Sequence, residues 1–181
     1  AGITYADAPV SGGASGARAG TLAMMVAAPD DVFARLLPLL NPMAKNARHV
    51  GREPGQGMAM KLLNNFLSGM AMAATSEAMA FGASQGLDMS TIIDTIAVSS
   101  GKNTAITDKF PNRILPERYD SGFTTQLMTK DLTLYVDSCK NLGAPHQLSE
   151  TLLQNVWRRM CNEMPESDFT EIYPFTLKFN G

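Results

Sequence analysis

Charged residues and cysteines are both scarce in this chain of 181 residues. The 15 Lys and Arg against 17 Asp and Glu leave a net charge of −2, which provides no attraction for nucleic acid or acidic membranes. The two cysteines, Cys139 and Cys161, lack the spacing of metal ligands. We therefore expect no metal site, no nucleic-acid partner and reduced thiols, as in the cytoplasm.

A long unbroken apolar run is also missing. The most apolar stretch, residues 66–83, is interrupted by Ser68, Thr75, Ser76 and Glu77 and is rich in small residues. Such a segment is typical of a core helix and not of a membrane span. The chain starts at Ala1 without the layout of a signal peptide, so it is expected to be a cut or processed product.

The first 53 residues have the texture of an α/β unit. Short β-type runs at residues 3–6, 22–27 and 48–50 predict strands, and the glycine-rich residues 11–16 predict a loop. Apolar residues recur at helical spacing over residues 30–40, with Asp30 and Asp31 where a helix start favours negative charge. The predicted order is strand, loop, strand, helix, strand.

After residue 53 the pattern becomes helical. A long helix is predicted over residues 57–85, with Gly86 in a left-handed position after it and Asp88 or Ser90 capping a further helix that Gly101 ends. A broken stretch with two prolines follows at residues 102–122, and helices are predicted at 124–141, 146–164 and 168–178. The predicted domains are residues 1–53 and 54–181.

Lys61 and Asn65 are the polar residues that most need explanation. They lie four apart in the long apolar helix and therefore share one of its faces. Burial and a helix N-terminus both lower the pKa of a lysine towards the range useful for an acid or base, and an amide one turn along can orient a substrate oxygen. The alternative is a lysine that reaches out to solvent.

Two glycine motifs and one charge pair flank this helix in the sequence. Gly55-x-Gly57 lacks the third glycine of a dinucleotide fingerprint, because Met60 stands there, and is more typical of a tight helix entry. The backbone N–H groups of the sequence DAPVSGG at residues 7–13 can cradle a carboxylate, or form a flexible turn. The pair Lys130 and Asp131 by itself is typical of a solvated helix face.

In this order the motifs resemble those of the β-hydroxyacid dehydrogenases, the 3-hydroxyisobutyrate and tartronate semialdehyde reductase family related to 6-phosphogluconate dehydrogenase. The matching sequences are DAPVSGG at residues 7–13, GTLAMMVA at 20–27, GQGMAMKLLNN at 55–65, and Phe123 with KDL at 130–132. The resemblance covers the whole chain.

The resemblance implies roles for particular residues. Lys61 corresponds to the general acid/base, and Asn65 to the residue that orients the substrate. The substrate carboxylate would bind the loop of Ser11, Gly12 and Gly13. Phe123 and Asp131 correspond to further substrate-pocket positions and Lys130 to a position near the cofactor, which is NAD or NADP. The implied reaction moves a hydride between that cofactor and a small 3-hydroxy acid or its semialdehyde.

The family begins with a Rossmann half that carries GxGxxG, and this sequence does not contain one. The implied fold is the end of a Rossmann-like nucleotide domain, then a long interdomain helix and a helical bundle. The long helix and the aromatic residues near the C-terminus would suit a homo-oligomer, although core packing explains them equally well; these aromatic residues are Phe169, Tyr173, Phe175 and Phe179. The alternative function is a non-catalytic module for oligomerisation or partner binding.

The isolated 181-residue polypeptide should bind NADH and NADPH weakly, because the glycine fingerprint that holds the pyrophosphate is not in its sequence. Titration calorimetry with each nucleotide measures this affinity. Tight binding of either nucleotide to the isolated polypeptide would contradict the prediction.

Overall fold

The computed structural model describes residues 3–178, and Phe179 lies outside them. The chain forms two compact units, Ala1–Asn64 and Asn65–Gly181. The boundary between the units falls inside helix α3, Gln56–Ser84, so this helix belongs to both. The domain boundary near residue 53 stays a prediction.

The first unit contains a three-stranded sheet in the order β1-β2-β3. The strands are β1, Val10–Ser11, β2, Ala23–Ala27, and β3, Asn46–Gly51. Strand β1 runs antiparallel to β2, whereas β2 and β3 are parallel. Helices α1, Gly13–Ala19, and α2, Asp30–Leu40, lie in the same unit.

The core of this unit comes from the alternation of β2. Met24 and Val26 are buried on one face of the strand, and Leu22 and Leu40 pack with them. Parallel pairing of β2 with β3 needs a crossover, and α2 provides it, as in other α/β units. The helix predicted at residues 30–40 and the strand predicted at 22–27 are confirmed.

Two local predictions in this unit are wrong. Residues 3–6 form no strand, and the pairing with β2 consists of an Asp7–Ala27 bridge and the short strand β1. Ile3 and Tyr5 are largely exposed, so a strand here would bury neither of these side chains, and their β propensity alone does not form one. The predicted loop at residues 11–16 instead contains the start of α1, which ends at Gly20 in the left-handed conformation.

The second unit is helical. After α3 come α4, Met89–Ala97, and α5, Thr125–Leu142. Then α6, Gln147–Leu152, continues through a π-helical segment, Leu153–Trp157, into α7, Arg158–Glu163. A 3₁₀ turn, Phe169–Glu171, leads into α8, Ile172–Leu177. The fold class predicted from the sequence is therefore confirmed: the end of a Rossmann-like domain, a long helix and a helical bundle.

The stretch predicted as broken, residues 102–122, contains a ten-residue π-helix, Ala105–Ile114, with Pro111 inside it. At its end the N–H of Leu115 donates to the carbonyl oxygen of Phe110, five residues back. In a regular α-helix the ring of Pro111 would clash with the carbonyl of Thr107, and the wider π turn relieves that clash. Helix α4 also ends earlier than predicted, at Ala97 and not at Gly101.

The core of the second unit is built around large side chains with almost no solvent exposure, among them Trp157, Phe110, Met72, Met79 and Leu132. They come from α3, α5 and both π-helical segments. Within residues 3–178, no helix combines the length and the hydropathy that crossing a membrane requires.

Helix α4 has the predicted cap. The carboxylate of Asp88 accepts hydrogen bonds from the hydroxyl of Ser90 and from the backbone N–H of Thr91, the latter at 3.1 Å. These bonds, that of Ser90 first, lower the pKa of Asp88 below 3.8. The ionised form of Asp88 therefore stabilises the folded state.

We expect Asp88→Asn to lower the Tm at neutral pH and the difference from the wild type to close on acidification. Because the pKa of Asp88 is lower in the folded state, its contribution is present above pH 3.8 and is lost as the pH falls through that lowered value. Thermal unfolding followed by circular dichroism, from neutral pH down to about pH 3, measures the difference. A difference in Tm that does not change with pH would argue against this role of the charge.

Candidate active site

The start of α3 is held by a carboxylate from the other end of the first unit. Asp7 accepts hydrogen bonds from the backbone N–H of Gly55 at 3.0 Å and of Met58 at 2.8 Å. Its own backbone pairs with Ala27 on β2 through two hydrogen bonds of 3.2 and 2.9 Å. Helix starts leave their first N–H groups unpaired, and the buried carboxylate of Asp7 accepts hydrogen bonds from two such groups. Its negative charge also interacts favourably with the positive end of the helix dipole.

Each of the two glycines at this helix entry is required for a different reason. Gly55 has a φ of 97°, which side-chain-bearing residues rarely adopt. A Cβ on Gly57 would collide with the carbonyl oxygen of Met25 on β2 and lie 2.7 Å from Oδ2 of Asp7. The motif Gly55-x-Gly57 is therefore a tight helix entry, as its isolated occurrence in the sequence favoured, and not a nucleotide fingerprint.

Lys61 lies in the second turn of α3 and is half-buried. It follows Met58, whose N–H the Asp7 carboxylate holds, by three residues. The backbone that carries Lys61 is thus tied to the sheet of the first unit. A half-buried position suits an amine that has to exchange a proton with a bound molecule.

The predicted carboxylate-binding loop is a turn between β1 and α1. Ser11 ends the strand, and Gly12 and Gly13 have φ values of 124° and 61°. Both values lie in the region that favours glycine, so this turn has a defined shape that other residues would strain. Ser11 is half-buried, whereas both glycines are exposed. The two glycines of the turn are therefore accessible to solvent.

Asn65 and Asp131 meet in the second unit, both almost fully buried. Nδ2 of Asn65 donates to Oδ2 of Asp131 at 2.5 Å, and Nζ of Lys130 lies 2.8 Å from Oδ1 of the same carboxylate. An ionised carboxylate only accepts hydrogen bonds, so the amide group of Asn65 must turn its nitrogen towards Asp131. The three residues form one connected polar group, and the direction of the Asn65 amide is set.

Phe123 lies just before α5 in a loop with several anchors. Its ring meets that of Phe169 edge to face, with centroids 5.7 Å apart, and its carbonyl oxygen accepts a hydrogen bond of 2.8 Å from the N–H of Phe169. Asp168 accepts a hydrogen bond of 2.7 Å from the N–H of Gly122 on the same loop. Half-buried Phe123 is therefore held in place by the consecutive residues Asp168 and Phe169.

Sequence reasoning missed two carboxylates that shape the site, Asp7 and Asp168. In the sequence, Asp7 is only the first residue of DAPVSGG, and Asp168 is only the start of a predicted helix. Their partners, Met58 and Gly122, lie 51 and 46 residues away in the sequence. The available signal for Asp7 was a lone acid in an otherwise uncharged segment, and that signal does not name a partner.

Comparison with known proteins places the chain in a family. Residues 55–176 match the family model described as NAD-binding of NADP-dependent 3-hydroxyisobutyrate dehydrogenase. Residues 1–51 match the NAD binding domain of 6-phosphogluconate dehydrogenase. The chain belongs to the β-hydroxyacid dehydrogenase family. Both matching models describe NAD-binding domains, so the nucleotide of the family is NAD or NADP.

Curated relatives in the β-hydroxyacid dehydrogenase family support this assignment. The chain is 43% identical to 3-hydroxyisobutyrate dehydrogenase of Pseudomonas aeruginosa over 79% of its own length and 50% of the relative's. It is 41% identical to 2-(hydroxymethyl)glutarate dehydrogenase of Eubacterium barkeri, over 80% of the chain and 48% of that protein. The chain therefore spans about half the length of the curated relatives it matches.

Solved structures agree with the fold. A structure of Mycobacterium tuberculosis 3-hydroxyisobutyrate dehydrogenase with L-serine is 30% identical and has a TM-score of 0.87, covering 94% of this chain and 60% of that one. A structure of Psf3 in complex with NADP+ and 2-OPP is 26% identical with a TM-score of 0.81, covering 95% and 60%.

We expect Asn65→Ala to cost about 2 kcal/mol of unfolding free energy, because it removes a hydrogen bond from a buried carboxylate. Urea unfolding measures the loss, and a cycle with Asp131→Asn isolates the coupling between the two residues. The matched control is Asn112→Ala, which breaks the bond of an exposed asparagine to Asp108 and should cost much less. Equal losses from both alanine variants would refute the structural importance of the buried pair.

Proposed function

We propose that the intact protein is an NAD(P)-dependent dehydrogenase of a small 3-hydroxy acid or its semialdehyde, with Lys61 as its general acid/base. The observation that carries the proposal is a half-buried lysine one helical turn before a buried amide of set direction. Because α3 is continuous, residues four apart in it share a face. An ammonium and a carboxamide side by side suit a substrate oxygen that gains or loses a proton.

Each residue has a proposed task in the reaction. The substrate carboxylate binds the turn of Ser11, Gly12 and Gly13, whose N–H groups and hydroxyl are hydrogen-bond donors. Asn65 orients the substrate oxygen, and Asp131 keeps the Asn65 amide from rotating. Phe123 contacts the substrate.

When bound, the nicotinamide ring accepts or supplies the hydride at the substrate carbon. In the direction of oxidation, neutral Lys61 takes the hydroxyl proton while the carbon–oxygen single bond becomes a carbonyl. In the direction of reduction, protonated Lys61 returns that proton to the oxygen, so negative charge does not accumulate there.

The residues present fit the cofactor at one position. The Lys130 side chain is 58% exposed and uses Asp131 as a partner, so its ammonium keeps N–H groups that face solvent. Such a cation suits the phosphate oxygens of a dinucleotide. The sequence contains no GxGxxG, so we propose that the pyrophosphate is held by residues outside the 181 described by this sequence.

The relatives narrow the proposed class of substrate. By their names, 3-hydroxyisobutyrate and 2-(hydroxymethyl)glutarate both carry a hydroxymethyl group on the carbon next to a carboxylate. This spacing puts the reacting oxygen two carbons from the carboxylate carbon. We therefore propose substrates of the form HOCH₂–CHR–COO⁻. The R group would distinguish the substrate of one relative from that of another.

In the intact enzyme, Lys61→Ala should lower kcat by about 10²- to 10⁴-fold, because it removes the proton donor and acceptor. Ser11→Ala should chiefly raise KM, since it removes one donor to the carboxylate. Steady-state kinetics with a hydroxy acid of the proposed class measure both effects, and Lys102→Ala, an exposed lysine, is the control. A Lys61→Ala enzyme within about tenfold of the parent would sink the proposed role and favour a non-catalytic module.

A further inference from the structure

We propose that Asp7 is a positioning residue for Lys61. Its carboxylate binds the first turn of α3, and Asp7 itself lies in the segment that leads into the turn of Ser11, Gly12 and Gly13. Asp7 does not touch the substrate in this proposal. The inference rests on the proposed role of Lys61 as general acid/base.

The side chain and backbone of Asp7 perform different tasks. The backbone holds β2 by two hydrogen bonds with Ala27, and these do not depend on the side chain. The carboxylate alone holds Gly55 and Met58 at the entry of α3. A side-chain substitution therefore releases the start of the helix while the segment before Ser11 stays paired with the sheet.

The fit at this position is close. Asp7 is only 9% exposed, and the Cα of Gly57 lies so near that an added methyl would meet both the Asp7 carboxylate and the Met25 carbonyl. Lys61 is one turn further along the helix from Gly57. A small displacement of the first turn is thus carried directly to the base of the lysine side chain, since a helix transmits such shifts along its axis.

When a catalytic amine is displaced from the substrate oxygen, kcat falls while the affinity for the substrate is kept. Errors of about 1 Å in a reacting geometry cost about 10²-fold in rate. Substrate affinity depends on the turn of Ser11, Gly12 and Gly13, which the backbone bonds of Asp7 leave in place. A capping residue with no part in positioning would instead lower stability and leave kcat unchanged.

The test is Asp7→Asn in the intact enzyme. The amide is similar in size to the carboxylate but can accept a hydrogen bond from only one of the two N–H groups, because its NH₂ group, a donor, faces the other. We expect kcat to fall about 10- to 100-fold, with KM within about threefold of the wild type. Thermal unfolding of the same sample confirms that the variant is folded.

The matched control is Asp88→Asn, which makes the same chemical change at another helix start, that of α4. It should reduce stability and leave kcat and KM unchanged. A folded Asp7→Asn enzyme with wild-type kcat, or with a fall in rate no greater than that of Asp88→Asn, overturns the proposal.

Gly57→Ala provides a second variant in case Asp7→Asn does not fold. The added methyl forces the first turn of α3 away from β2, so the same fall in kcat at nearly constant KM is expected. Wild-type kcat in this variant also overturns the proposal.

The Lys61→Ala variant separates the role of Asp7 from the proposed function. An active Lys61→Ala enzyme rejects the proposed function itself. An inactive Lys61→Ala enzyme together with a fully active Asp7→Asn enzyme rejects only the role of Asp7.

Discussion

The contact between the Asp7 carboxylate and the first turn of α3 is the constraint on which the candidate site depends. A 29-residue helix begins with unpaired N–H groups, and here two of them are satisfied by one buried carboxylate. The same residue pairs with β2 through its backbone. A single position in the sequence thus joins the sheet, the start of the helix and, four residues later, the turn that begins at Ser11.

Further along, close packing also holds the same helix against its neighbours. A Cβ on Gly69 would lie 3.0 Å from Sδ of Met128, and one on Gly82 would lie 2.5 Å from Cδ1 of Ile92. Small residues at these positions let neighbouring helices approach closely. The pair of Asn65 and Asp131 is buried, and a buried polar group of this kind has to be fully paired or it destabilises the fold.

The elements with strong periodicity could be predicted from the sequence. Apolar spacing gave α2, α3 and α5 to within a residue or two, because their buried faces repeat over several turns. The short and irregular elements could not. Strand β1 has two residues and α1 has seven, and the π-helix around Pro111 has no sequence signature separate from that of a broken helix. Such elements form because contacts with other parts of the fold stabilise them.

The sequence by itself determined the class of fold, the candidate amine Lys61 and the glycine turn, since each depends on the order and spacing of residues along one segment. Only the tertiary structure decided that Asp7 contacts Gly55 and Met58 and that Asp131 contacts Asn65. Asp7 reaches its partners across 48 and 51 residues, and the Asp131 carboxylate meets an amide 66 residues away. Hydrogen bonds over such separations form only after the chain has folded back on itself, and local patterns of hydrophobicity and charge carry no record of them.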